Sequence, residues 1–218
     1  MDLSKQLDNY CERLSPDYWA EPINAITNLA FILAAVFVLL AWRQSDSRPR
    51  SVLFLGVWIG VIGAGSYLFH THATVWALFS DTIPILIFIL AYLFLAMRFF
   101  MHLPIWASGL ITLGYIPVTY GIAPMLGPYL GSSAGYVPAL LAMFIVGGLM
   151  LPRDRTVAVG LLSTASLFLI SLCFRMADEP LCDNFPLGTH FMWHILNAVV
   201  LYRLAMIYLK RREQISQK

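Results

Sequence analysis

The chain has 218 residues, enough for one domain, and 59% of them are hydrophobic against 12% charged, a balance outside the soluble class. The formal charge of +2 is small and no basic run is interleaved with exposed aromatics, which excludes a nucleic-acid partner. Apolar runs near the roughly 20 residues that cross a hydrocarbon core recur almost end to end, so the sequence predicts an all-α integral membrane protein.

Residues 1–19 are polar and mixed in charge, without the basic start and short apolar core of a cleavable signal, so no processing is expected. A first span is predicted over about 22–42. Pro22 suits a first helical turn, Tyr18 and Trp19 suit interfacial depth, and Arg43 ends the run. Further spans are predicted over about 52–70, 79–97, 104–122, 136–151, 156–174 and 189–209, which makes a bundle of seven transmembrane helices. The Gly- and Pro-rich stretch 121–138 reads as a loop, and no repeat or linker divides the chain. Arg43, Arg48, Arg50, Arg98, Arg153, Arg155, Lys210, Arg211 and Arg212 all fall in connections on one side. The positive-inside rule therefore predicts a cytoplasmic C-terminus and an outside N-terminus, with the segments around Thr71, Pro128 and Cys182 also outside.

Ionisable residues inside spans are expensive in lipid and are functional candidates. His190 and His194 stand four apart at the start of the seventh span, on one helical face, the spacing a single metal ion bridges. Ser66 and His70 are likewise four apart at the same end of the second span, and His70 supplies a third nitrogen. Three histidines with a fourth position left for water describe an open zinc site. Asp81 opens the third span across a short connection from His70, where it can serve the water or a ligand imidazole. Plainer readings exist for each. The histidine pair has a lesser reading as interhelical hydrogen-bond glue, Ser66 one as a small packing residue among Gly63 and Gly65, and Asp81 one as a helix cap. His72 is a spare neighbour of His70, and His102 falls on the cytoplasmic side; neither is assigned a role.

Before the first span, Asn9, Tyr10, Cys11 and Glu12 precede Trp19-Ala20-Glu21-Pro22-Ile23-Asn24, with Asn28 a turn further. Crowded oxygen donors suit calcium; a solvated, capped helix start explains the same residues equally well. Cys11 and Cys182 share the outside compartment, so a disulfide between them is a hypothesis, whereas Cys173 lies within the sixth span.

Taken together, Tyr10-Cys11-Glu12, Trp19-Ala20-Glu21-Pro22 with Asn24, Ser66 with His70, Asp81, Asp178 with Cys182, and Gly188-Thr189-His190 through Trp193-His194 resemble the alkaline ceramidase family. That family sits in a superfamily of seven-span hydrolases that includes the adiponectin and progestin receptors, and the likeness is to a bacterial-type member. The resemblance covers most of the chain. It implies a zinc amidase that cleaves the N-acyl bond of ceramide-like lipids in the bilayer, with His70, His190 and His194 as ligands and Asp81 and Ser66 at the reaction centre. For a bacterial member the membrane is the plasma membrane, with the site toward the outer face to which the basic connections assign it, and the resemblance supports pairing Cys11 with Cys182. It also implies calcium held by Glu12 and Glu21, with Asn9 and Tyr10 beside them. Asn9 stands where an aspartate is usual, Leu14 where an asparagine is usual, and the intervening loop is shorter. The alternatives are a zinc hydrolase of another acyl lipid, and a receptor-like or lipid-binding protein that uses zinc only as a brace. The oligomeric state is not readable from the sequence.

Overall fold

The computed structural model describes residues 2–216. Over these the chain is helical: α1 (Pro22–Thr27), α2 (Leu29–Gln44), α3 (Arg50–His72), α4 (Val75–Phe99), α5 (Ile105–Leu130), a 3₁₀ helix (Gly131–Tyr136), α6 (Val137–Met150), α7 (Arg155–Leu181) and α8 (His190–Ser216). The described residues contain six helical stretches long and apolar enough to cross a membrane, α1 with α2 counting as one and Ile105–Met150 as another. Many large apolar residues, among them Leu33, Phe37, Leu110 and Leu113, face outward, as they do when lipid rather than water surrounds a bundle.

Helices α2, α3 and α4 pack in sequence, α6 lies on α7, and α8 closes against α7 and α2. The two ends differ in composition. At one end lie the start of α8 and the last turn of α3, where the histidines stand. At the other, Arg211 reaches Asp154 at 3.2 Å and His102 at 2.9 Å, and Arg212 lies over the Phe99 ring.

The predicted loop 121–138 is largely helical: α5 continues to Leu130 through Pro117, Pro124 and Pro128. Prolines read as breaks in a soluble chain are tolerated in apolar helices whose freed carbonyls find other partners. The break comes instead at Gly131, whose φ of +54° suits glycine. Arg153, just after α6, touches Met101, just before α5, while the 3₁₀ segment between them meets Arg175 near the far end of α7.

Helix α4 starts at Val75, earlier than the predicted 79, so Asp81 lies inside the helix and does not cap it. Pro84 has no N–H for the carbonyl of Ser80, one turn back. That carbonyl points at Gly65 so closely that an added Cβ would lie 1.9 Å from it. Gly65 thus lets α3 and α4 meet backbone to backbone, which sets Asp81 beside Ser66.

The N-terminal segment covers the histidine end. It pairs with the turn between α3 and α4 through Leu7 N–H to Ala73 O (2.7 Å) and Val75 N–H to Lys5 O (3.2 Å). A disulfide joins Cys11 to Cys182, with the Cα atoms 5.1 Å apart across 171 residues of sequence.

Candidate metal centre

His70 comes from the last turn of α3, and His190 and His194 from the first two turns of α8. All three are at most 2% exposed. One potential ligand atom from each lies within 4.8 Å of the other two, and this is the group able to hold a metal ion among the described residues. His70 Nε2, His190 Nδ1 and His194 Nε2 are buried without any hydrogen-bond partner. Buried polar atoms in native structures are nearly always satisfied. Three buried imidazoles with ligand atoms this close, each ring carrying an orphaned nitrogen, therefore fit a metal ion, and all-nitrogen donors suit zinc.

Neighbouring residues fix the tautomers that such a site needs. His70 Nδ1 donates to Glu21 Oε2 at 2.6 Å, which leaves the lone pair on Nε2. The Thr27 hydroxyl gives its single proton to the carbonyl of Ile23 (2.8 Å) or Asn24 (3.1 Å). It also meets His194 Nδ1 at 2.9 Å, and with its proton on a carbonyl it accepts there from Nδ1–H, the tautomer that leaves the lone pair on Nε2. Orientation of ligand histidines through the other ring nitrogen is the usual support of a zinc site. His190 is held differently, stacked on the Tyr10 ring at a centroid distance of 3.7 Å.

Asp178 sets the start of α8. Its Oδ1 accepts from the backbone N–H of Thr189 (2.6 Å) and His190 (2.8 Å), two donors that a helix start leaves free, and its Oδ2 accepts from Cys11 N–H (3.1 Å). Gly188 must precede this cap: its φ is +67° and a Cβ there would lie 2.1 Å from Asp178 Oδ1. Together with the disulfide, Asp178 ties the N-terminal segment to the helix that carries two histidines.

Asp81 and Ser66 lie beside the cluster without belonging to it. Asp81 is within electrostatic reach of His70 and Arg175 and close to the Ser66 hydroxyl. Arg175 donates to Ser132 Oγ, Ser133 Oγ and Tyr10 OH, with its guanidinium over the rings of Tyr10, Tyr136 and Trp193. One turn deeper, Ile62 on α3 and Asn197 on α8 open an apolar cavity that continues along Phe88, Tyr92, Phe168 and Leu204.

The calcium candidates are engaged elsewhere. The carboxylate of Glu12 accepts from Ile23 N–H (2.7 Å) and Asn24 N–H (2.8 Å) and so caps α1. Glu21 is 2% exposed, with Oε1 on Arg13 Nε and Oε2 on His70 and Asn24. Burial pushes its carboxyl up, but the hydrogen bonds from His70 and Arg13 and the positive charge of Arg13 outweigh burial and hold it below its ordinary value. Asn9 is exposed, and the carbonyl of Tyr10 accepts from Arg13 N–H. As arranged, these donors do not fit a calcium ion. His72 contacts the rings of Tyr18 and Trp76 and takes no part.

A model of the ceramidase family matches residues 7–218, nearly the whole chain. The chain belongs to the ceramidase family. A comparison with curated proteins finds no match. Membership suggests a lipid hydrolase acting on amide bonds, and the histidine cluster of this ceramidase-family chain is compatible with a metal site. Its supporting residues Arg13 and Thr27 carried no sequence signal, whereas Arg175 and Asp178 did: charge within an apolar helix.

Proposed function

We propose that the protein is a zinc-dependent intramembrane amidase that hydrolyses the N-acyl bond of ceramide-like lipids to a fatty acid and a sphingoid base. The observation that carries this reading is the gathering of three buried histidines, each with an orphaned ring nitrogen, at one end of an apolar bundle of the ceramidase family. A zinc ion held by His70, His190 and His194 supplies Lewis acidity to an amide carbonyl and lowers the pKa of water toward about 7. Asp81 takes the proton of the attacking water and returns it to the leaving nitrogen. Ser66, one turn before His70, donates a hydrogen bond to the reacting oxygen. The apolar cavity that Ile62 and Asn197 open one turn from Ser66 and His194 accommodates an acyl tail, and Asp81 is itself partly buried. A brace-only zinc calls for a fourth protein ligand, whereas the histidine group among the described residues has three members.

The test is made on purified protein incubated with ceramides, with products resolved by mass spectrometry and metals measured in the same sample. Fatty acid and sphingoid base are expected from the unmodified chain, and His194→Ala is expected to lose both metal and turnover. Hydrolysis and metal content unchanged in that variant would overturn the site. Release from another acyl lipid alone would overturn the substrate and leave the site intact.

The same reading takes the chain across the membrane seven times, N-terminus outside. As one helix, Ile105–Met150 with its 46 residues would extend roughly 69 Å at about 1.5 Å per residue, more than twice the roughly 30 Å hydrocarbon core. The Arg153–Met101 contact supports a fold-back at the 3₁₀ segment, and the basic connections gathered opposite the histidines support the orientation. In intact cells an impermeant thiol reagent is expected to label Ser132→Cys and spare Arg153→Cys. The reverse pattern would invert the topology.

A further inference from the structure

Arg13 is buried, only 5% exposed, in the loop between the disulfide and α1. Its guanidinium donates to four oxygens: Glu21 Oε1 at 2.5 Å, the carbonyls of Ser15 at 3.1 Å and Asp17 at 3.3 Å, and the carbonyl of His70 at 3.0 Å. A charge taken out of water is tolerated only when paired and well hydrogen-bonded, and here a carboxylate and three carbonyls take four of the five guanidinium N–H groups. The His70 carbonyl is one of the last four of α3, which have no partner within the helix and carry its negative dipole end. Arg13, Glu21 and His70 thus form a closed ring. Arg13 holds the backbone of His70 and the carboxylate of Glu21, and Glu21 holds the ring of His70.

We propose that the Arg13 guanidinium is the structural cation of this end of the protein, and that the chain orients His70 without calcium. Calcium takes 6–8 oxygens at about 2.3–2.6 Å. The oxygens gathered here, one carboxylate and three carbonyls from the N-terminal loop, Glu21 and α3, already face a cation. A divalent ion among them would meet a fixed positive charge, and the Glu12 carboxylate is turned to the N–H groups of α1. A guanidinium stays charged at any working pH and reads a carboxylate and a carbonyl in fixed directions. The clasp is therefore covalently part of the chain and does not depend on the ion content of its surroundings. Arg13 is a positioning residue, acting on the metal centre through Glu21 and His70.

The part concerning His70 rests on the proposed metal site; the part concerning calcium does not. The full chain, purified into calcium-free buffer, is titrated with calcium chloride against magnesium chloride at equal ionic strength. Heat of binding, thermal unfolding and zinc retention are read together. No calcium-specific heat, no shift in unfolding temperature and no change in zinc retention are expected. A saturable calcium-specific stabilisation would overturn the proposal. In Arg13→Gln, zinc affinity is expected to fall about 10–100-fold, the usual effect of removing a group that orients a ligand, and millimolar guanidinium ion is expected to recover part of it. Arg13→Lys, which keeps the charge without the fork, is expected to fall between and serves if the glutamine variant does not fold. Zinc affinity in Arg13→Lys equal to that of the unmodified chain, with no response of either variant to guanidinium, would overturn it. If the unmodified chain binds no zinc at all, the metal reading fails while the calcium titration still decides the calcium proposal.

Discussion

The two ends of the bundle handle charge in opposite ways. At the basic end Arg211 pairs with Asp154 at 3.2 Å, both side chains keeping about a sixth of their surface in contact with solvent, at 15% and 16%. Asp154 also caps α7 by accepting from Thr156 and Val157 N–H, so its own role is local. At the histidine end Arg13 and Glu21 are paired with side chains 3% and 2% exposed. The first arrangement costs little and contributes little. The second is costly to assemble, because two ions lose their hydration, and its worth lies in the geometry it imposes on His70. The difference identifies the end of the molecule where position has to be exact to an ångström.

The largest effect is expected at Glu21. Glu21→Ala leaves the buried Arg13 charge without its carboxylate and His70 Nδ1 without an acceptor, so unfolding free energy should drop by about 3–5 kcal/mol. Denaturant unfolding in micelles measures this, and metal analysis of the same samples should show depleted zinc. Stability equal to that of the unmodified chain would remove the contrast between the two ends. A smaller effect is expected from Thr27→Val, which preserves shape but removes the hydroxyl that meets His194 Nδ1. Zinc affinity should fall by roughly tenfold with helix content unchanged; competition with a chromophoric chelator reads the first and circular dichroism the second. Undiminished affinity would mean that the tautomer of His194 is set elsewhere. The smallest effect is expected from Arg211→Gln at the basic end, below about 1 kcal/mol and without any loss of zinc. A loss comparable to that of Glu21→Ala would show that the two pairs are not different in kind.

The sequence revealed the candidate site residues better than their supports. His190 with His194 and Ser66 with His70 announce themselves because a helix repeats every 3.6 residues, and four-residue spacing on an apolar run is a local signal. Arg13 reaching His70 across 57 positions, or Thr27 reaching His194 across 167, has no local signature. Glu12 and Glu21 were conspicuous as acidic residues beside a helix start, yet composition cannot distinguish a calcium ligand from a cap or a partner of arginine. Here Glu12 is the cap and Glu21 the partner. The apolar helices were legible from hydropathy, but their ends were not: α4 begins four residues earlier than the predicted 79, which carries Asp81 from a capping position into the helix. The stretch 121–138 misled because glycines and prolines such as Pro124 and Pro128 break helices in water, whereas α5 runs through both prolines. The disulfide hypothesis held since Cys11 and Cys182 needed only to share a compartment, and the fold brings them together through Asp178.

The central claim is that His70, His190 and His194 hold one zinc ion. X-ray absorption at the zinc edge on the purified full chain measures this most directly. The account predicts one zinc per chain with three imidazole nitrogens and one further light atom at about 2.0–2.1 Å, a spectrum lost in His70→Ala. A chain that purifies without zinc, a shell containing sulfur, or the same spectrum in His70→Ala would contradict it.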